Sequence, residues 1–183
     1  LQLGLTQNYI QDQYAILSGY VVSLLVTPTF FCTIIYRLYL PIATDDLYYH
    51  KSTAFLHLLY ALLICLLIGL PFTLIFYFFP KQSLMVLYNT TSGYQQLKYM
   101  AFPFLLFYLQ TPLSTILQAK NKNKVMFIIS IIECTLEIIL TYTLSHYLYV
   151  NAILISLFTG LITTLTLSAI YCFKIIIKDT SLS

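Results

Sequence analysis

Two glutamates, Glu133 and Glu137, are the residues of this chain best suited to do chemistry, because they lie within a long apolar stretch. A spacing of four residues puts both carboxyl groups on one face of a helix. Placing one acidic side chain near the centre of a bilayer costs about 2.5 kcal/mol or more on insertion scales. We therefore expect both carboxyl groups to face other helices or a water-filled cavity rather than acyl chains.

Two interpretations of this acidic pair remain open. In the functional interpretation, the pair responds to a proton or a sodium ion, or lines a path for a hydrophilic cargo. In the structural interpretation, the pair is bonded to Thr, Tyr or Gln on neighbouring helices. No basic residue lies at a similar depth in the sequence, so a bound cation or another part of the protein must supply any charge partner. Gln110 is a further candidate to line a cavity, and helix–helix hydrogen bonding explains it equally well.

The other reactive residue types do not form a recognisable site. His57 and His146 lie near the ends of apolar stretches and His50 lies in a loop, which is typical of polar residues at a membrane interface. The four cysteines occur singly, without a CxxC pair, and we interpret them as small apolar side chains. A phosphate-binding glycine loop and a nucleophile–base pair are both missing from the sequence. We expect no catalytic residue, no cofactor and no metal, and hence not an enzyme.

Five apolar stretches position these candidate residues. The stretches are Tyr14–Leu40, Ala54–Phe79, Met100–Gln118, Val125–Tyr149 and Ala152–Ile177. About 20 residues of helix cross the hydrocarbon core, and each stretch meets that length. Only 8% of the residues are charged, whereas soluble domains have about a quarter, so the sequence predicts an all-α, polytopic transmembrane bundle in contact with membrane lipid. The net charge of +3 is explained by topology, and no nucleic-acid partner is expected.

The basic residues indicate the orientation of the bundle. Seven basic residues fall on one face: Arg37, Lys51, Lys120, Lys122, Lys124, Lys174 and Lys178. Only Lys81 and Lys98 fall on the other, and the positive-inside rule makes the first face cytoplasmic. We therefore expect residues 1–13 to be an extracytoplasmic lead-in from a preceding helix, residues 14–177 to be a five-helix bundle and residues 178–183 to be a cytoplasmic tail. On this interpretation the chain is the C-terminal or an internal part of a longer protein.

Prolines mark the expected points of bending. Four lie inside the apolar stretches: Pro28, Pro71, Pro103 and Pro112. Each removes one backbone hydrogen bond, and in lipid the freed carbonyl must find a partner on a neighbouring helix or in cavity water. We expect these four to be flexure points of a mobile bundle, whereas Pro41 and Pro80 are expected to mark ordinary helix ends.

Several short motifs, in this order, resemble the multidrug/oligosaccharidyl-lipid/polysaccharide (MOP) flippase superfamily. They are Tyr14–Gly19 with Pro28 and Leu40–Ala43, then Ile68–Pro71, Leu84–Tyr88, Ile116–Gln118 with Lys120 and Lys124, and Leu136–Leu140. The likeness is closest to the polysaccharide-biosynthesis branch, the SpoVB-like and MurJ-like proteins, and covers about residues 14–173. It implies that the chain is much of the C-terminal lobe of a two-lobed MOP/MATE-like transporter.

The resemblance also implies a function and partners. A flippase of this branch would move a lipid-linked saccharide precursor across the bacterial plasma membrane by alternating access, for cell-envelope polysaccharide biosynthesis, with an N-terminal lobe of the same protein as its partner. Glu137 stands where a lysine is common in that branch, which favours the alternative of a proton- or sodium-coupled multidrug or metabolite exporter. A non-transporting membrane scaffold, or the membrane subunit of a glycosyltransferase complex, is a third possibility.

Overall fold

The structure is a computed structural model that describes residues 7–49, 53–148 and 151–180. These ranges are helical apart from short connections and contain no strand, so the predicted all-α class is confirmed. The helices are α1 Gln7–Ile16, a π-helical segment Leu17–Val22, α2 Ser23–Val26, α3 Thr29–Tyr48, α4 Ala54–Phe78, α5 Pro80–Tyr88, α6 Tyr94–Ala119, α7 Asn123–Leu148 and α8 Asn151–Thr180.

Four of these helices contain segments that are long and apolar enough to cross a membrane. The segments are Ala54–Phe78, Tyr94–Ala119, Asn123–Ser145 and Asn151–Ile177. A fifth span is obtained if the pair Gln11–Val26 and Thr29–Tyr48, bent by 42° relative to one another, crosses as one unit. The prediction of membrane-spanning helices is confirmed to this extent, and the first of the predicted stretches is a broken helix.

The break in the first span lies at Pro28, and every backbone carbonyl from residue 24 to residue 28 has a partner there. The Leu24, Thr27 and Pro28 carbonyls accept backbone N–H groups at 3.1–3.3 Å. The remaining two accept hydroxyl groups, because the Thr29 side chain donates to the Val26 carbonyl at 2.6 Å and Tyr108 donates to the Leu25 carbonyl at 2.6 Å. Since no water is available inside lipid, these hydroxyl groups make the break tolerable.

Tyr108 reaches the break from α6 because α4 leaves room for its ring at Gly69. A Cβ atom on Gly69 would lie 2.5 Å from Tyr108 Cδ2 and 3.0 Å from Leu105 Cδ1. The Tyr108 ring is fully buried, between α4 on one side and the broken helix on the other. Three consecutive spans therefore meet at one side chain.

The other prolines lie inside continuous helices. Pro71 is within α4, and Pro103 and Pro112 are within α6, so flexure at these three positions stays a prediction. Pro41, expected to mark a helix end, lies inside α3, which continues to Tyr48. That prediction was wrong, because the loss of one hydrogen bond at Pro41 is offset by the apolar contacts that the following turns make with α4 and α6. Pro80 occupies the first position of α5, as a proline at a helix start should.

Helix α6 lies at the centre of the bundle and α7 at its edge. α6 packs against α3, α4 and α8, and half of its spanning residues are buried. α7 packs mainly against α8, and only 6% of its spanning residues are buried. The face of α7 that does make contact is the one that carries the two glutamates.

Candidate functional site

Polar and small side chains line the contact between α7 and α8, which we call the polar seam. On α8 a residue with a small side chain recurs at every fourth position, and all six are buried: Ala152, Ser156, Gly160, Thr164, Ser168 and Cys172. On α7 the facing residues also recur at every fourth position, namely Glu133, Glu137 and Thr141. Positions four apart lie on one face of a helix, and three residues of the α8 stripe, Ser156, Gly160 and Thr164, meet α7.

Each of the three α7 residues meets one residue of the α8 stripe. The Glu133 side chain lies beside Thr164. Glu137 lies against Gly160, where an added Cβ would be 2.5 Å from its Oε1 atom and 3.0 Å from its Cγ atom. The Thr141 and Ser156 hydroxyl oxygens are 2.7 Å apart and share a hydrogen bond. The helices run antiparallel, so the pairs 133–164, 137–160 and 141–156 succeed one another along the seam.

Both predicted acidic residues are therefore half-buried and turned toward another helix. The Thr164 hydroxyl donates to the carbonyl of Gly160 at 3.0 Å.

The seam has no basic residue to balance the carboxyl groups. Lys, Arg and His are absent from residues 125–145 of α7 and from residues 151–173 of α8. Two carboxylates close together in a setting of low dielectric repel one another strongly. A proton or a cation is therefore the simplest species that would let both carboxyl groups remain in the seam.

The third predicted cavity residue, Gln110, lies on α6 and is half-buried. It is not among the residues that meet the two glutamates in the pairs described above. Its role as a cavity residue stays a prediction.

A second polar cluster joins the ends of α3 and α4, and the sequence analysis had missed its central residue, Asp46. Asp46 is buried, and its two carboxylate oxygens take separate partners. The Thr53 hydroxyl donates to Oδ1 at 2.9 Å, and His57 Nδ1 lies 2.6 Å from Oδ2. The carboxylate also sits at the first turn of α4, where the helix dipole favours negative charge. The available signal was an acidic residue and a histidine on opposite sides of a short connection between two spans.

Lys120, at the end of α6, contacts the same end of α3. Its Nζ atom donates to the carbonyl of Leu47 at 3.2 Å and lies 4.5 Å from the centre of the Tyr48 ring. A cation near the last carbonyls of a helix stabilises that end. Asp46 and Lys120 together therefore tie the end of α3 to α4 and to α6.

We expect Asp46→Ala to destabilise the protein by about 1–2 kcal/mol, because it leaves Thr53 and His57 without their acceptor. The exposure of the His57 side chain, 39%, keeps this loss below that of a fully buried pair. Thermal unfolding in detergent micelles measures the effect, with the exposed Asp12→Ala as the control. Equal unfolding temperatures for the two variants would show that the cluster does not stabilise the fold.

Comparisons with known proteins give no match for this chain. No protein-family model matches the sequence, and neither the curated proteins nor the solved structures include a significant match.

Proposed function

We propose that the chain is one lobe of a two-lobed membrane transporter, which moves a lipid-linked saccharide precursor across the bacterial plasma membrane by alternating access. The C-terminus would be cytoplasmic, and the transported precursor would serve the synthesis of cell-envelope polysaccharide. The observation that carries this proposal is the polar seam between α7 and α8. Carboxyl groups inside a membrane are costly, and they mark sites where a polar cargo or an ion passes.

The position of α7 at the edge of the bundle supports movement of α7 relative to α8 at the polar seam. α7 contacts mainly α8, so it can shift relative to α8 without disturbing the packing of α6 against α3 and α4. A shift of that kind would open the row of carboxyl and hydroxyl groups, which can bond to the hydroxyl groups of a saccharide. The lipid tail of the precursor would meanwhile remain among the acyl chains.

The break at Pro28 also supports the proposal. The two helical pieces differ in direction by 42°, and single hydroxyl groups complete the hydrogen bonding between them. Rocking lobes need a few positions that absorb a change of backbone direction, and broken membrane helices serve this purpose in transporters.

A second candidate function is cation-coupled export of a drug or metabolite. The seam favours it because two carboxyl groups lie close together, with no basic residue among residues 125–145 of α7 or residues 151–173 of α8. Binding and release of one proton in the seam would switch the repulsion between the two carboxyl groups off and on. A coupling ion, H⁺ or Na⁺, would then drive the conformational change.

Glu137→Gln in the full-length protein separates these functions. We expect it to lower translocation of the lipid-linked precursor about tenfold, the effect of losing ~1.4 kcal/mol of stabilisation. The matched control is Thr135→Ala, which alters an exposed polar residue between the two glutamates. Precursor translocation and efflux of cationic dyes are measured in parallel, under imposed proton and sodium gradients.

The results of that experiment distinguish between the two transport functions and a structural role for Glu137. Loss of dye efflux alone favours the exporter. Unchanged behaviour in both assays removes Glu137 from the transport mechanism and leaves the seam a structural contact.

A further inference from the structure

Helix α5 is too short to cross a membrane and lies at the end of the bundle opposite to Lys120. It has 9 residues, which correspond to about 14 Å, less than half of the ~30 Å hydrocarbon core. A single residue, Phe79, separates it from the end of α4. At its other end the Tyr88 ring lies 5.0 Å from the ring of Tyr20 in the first span. Helix α5 therefore runs from α4 toward the first span, across the bundle rather than along it.

The free surface of α5 and of the turn before it is apolar. Leu84 is fully buried and holds α5 on the bundle. Five large apolar side chains are exposed, between 52% and 82% of each: Phe78, Phe79, Met85, Val86 and Leu87. This surface continues the one formed by Leu74 and Ile75, which are exposed on the last turns of the α4 span. The lipid-facing side of α4 therefore extends onto α5.

Two lysines lie at the same end of the bundle, and each is held on a tyrosine ring. Lys81 of α5 has its Nζ atom 4.5 Å from the centre of the Tyr94 ring. Lys98 of α6 has its Nζ atom 5.1 Å from the centre of the Tyr77 ring. The face of an aromatic ring attracts an ammonium group and leaves N–H groups available for an oxygen acceptor. Both lysines are thus positioned to bind an anion.

No carboxylate neutralises these two lysines. Residues 71–100 contain no Asp or Glu, and within the part of the chain that the structure describes neither lysine forms an ion pair. Cations beside exposed apolar side chains fit the boundary between water and hydrocarbon, where long basic side chains reach the headgroups. The anion available at that boundary is the phosphate of a phospholipid.

We propose that α5 lies in the headgroup layer of the membrane, with its apolar side chains among the upper acyl-chain carbons and with Lys81 and Lys98 on the phosphates of anionic phospholipids. Apolar burial and the attraction of cations to anionic lipid are the two forces that hold a helix in this layer. A second copy of the chain fits this surface poorly, because it would bring its own two lysines against these two. The proposal does not depend on the transport function.

The depth of α5 is tested with a fluorophore on Val86→Cys in the full-length protein. Cys134→Ser is added, because Cys134 is exposed and the other three cysteines are buried. The protein is placed in vesicles of phosphatidylcholine and phosphatidylglycerol whose acyl chains carry bromine, which quenches on contact. We expect most of the emission from position 86 to be lost. The matched control is Ser92→Cys, exposed in the polar loop after α5, which aqueous iodide should quench instead.

The role of the lysines is tested with the label at position 86 and with bromine on only one of the two lipids. In the wild type, brominated phosphatidylglycerol should quench more strongly than brominated phosphatidylcholine at the same fraction. Lys81→Gln and Lys98→Gln should each lower this preference about fivefold, whereas Lys81→Arg should keep it. The control is Lys122→Gln with Lys124→Gln, which removes exposed charge at the other end of α6 and should leave the preference unchanged.

Three results would overturn the proposal. Quenching of position 86 by iodide and not by brominated lipid would place α5 in water. Quenching by neither would show that another lobe or a second copy covers this surface. Equal quenching of the wild type by the two brominated lipids would show that Lys81 and Lys98 do not bind anionic phospholipid.

Discussion

Gly69→Ala is expected to destabilise the bundle by about 2–3 kcal/mol, because the new methyl group has no space. Its carbon would lie 2.5 Å from Cδ2 of Tyr108, and the tyrosine ring is rigid and fully buried. The ring cannot rotate away without giving up the hydrogen bond to the carbonyl of Leu25. Alanine gains about 1 kcal/mol of helix propensity over glycine, which offsets part of the clash but not all of it.

Gly19→Ala is the matched control for this measurement. A Cβ atom on Gly19 would have no atom within 4 Å apart from its own helix backbone, so the substitution should be neutral or slightly stabilising. Both variants are compared with the wild type by thermal unfolding in detergent micelles.

A double variant locates the origin of the loss. Tyr108→Leu alone loses the ring packing and the hydrogen bond to the Leu25 carbonyl. In that background Gly69→Ala should cost less than it does in the wild type, because leucine can move away from the new methyl group. The two changes are then non-additive, as expected for residues in contact. Additive losses would show that Gly69 matters for a reason other than the tyrosine ring.

How much of this arrangement could be predicted from the sequence differs from residue to residue. Pro28 removes an N–H group wherever it occurs in a helix, so a disturbance of the first span follows from its position alone. The identity of the compensating group does not follow, because Tyr108 is 83 residues away along the chain. Only the packing of α6 against α4 brings the hydroxyl group to the carbonyl of Leu25.

Pro41 shows why a proline is an uncertain marker of a helix end. The residues after it include Ala43 and Leu47, which are buried against other helices. Their burial is a tertiary property, and it favours continuing the helix for two further turns.

The candidate site was predictable in one respect and not in another. The spacing of Glu133 and Glu137 is enough to place both on one face of α7. The surface that this face meets depends on how α7 docks, and the small residues of α8 were the signal for it. Ala, Ser, Gly, Thr, Ser and Cys recur at every fourth position from residue 152 to residue 172, and such a stripe lets another helix approach closely.

Asp46 and His57 illustrate a different limit. A histidine near the end of a span is adequately explained as an interfacial residue, and two acidic residues, Asp45 and Asp46, between two predicted spans do not by themselves indicate a buried contact. Their contact of 2.6 Å exists because α3 and α4 form an antiparallel pair whose ends meet.

Gly160→Leu is expected to destabilise the protein by about 3 kcal/mol and to separate α7 from α8. A Cβ atom at this position would already lie 2.5 Å from Oε1 and 3.0 Å from Cγ of Glu137, and a leucine adds three more carbon atoms in the same direction. α7 packs mainly on α8, so it has few other contacts to hold it in place. Thermal unfolding measures the loss, and limited proteolysis of the separated helix reports which element has moved.

Gly160→Ala tests the same steric effect with a smaller side chain. Its single methyl group first meets the carboxyl end of Glu137, which can rotate, so we expect a loss of about 1 kcal/mol or less. The pair Gly160→Leu with Glu137→Ala should regain a large share of the stability, because removing the carboxyl group makes room for the leucine. Gly160→Leu as stable as the wild type would mean that α7 does not rest on α8 through Glu137.

The same variant connects the seam to transport. Gly160→Leu introduces no charge and removes none, yet it forces the Glu137 carboxyl away from α8. If the seam is the path of the cargo or the ion, precursor translocation or dye efflux should fall in Gly160→Leu. The double variant has no carboxyl group at position 137, so its transport should return only if that carboxyl group is not required. Stability regained without transport would therefore separate the packing role of Glu137 from its chemical role.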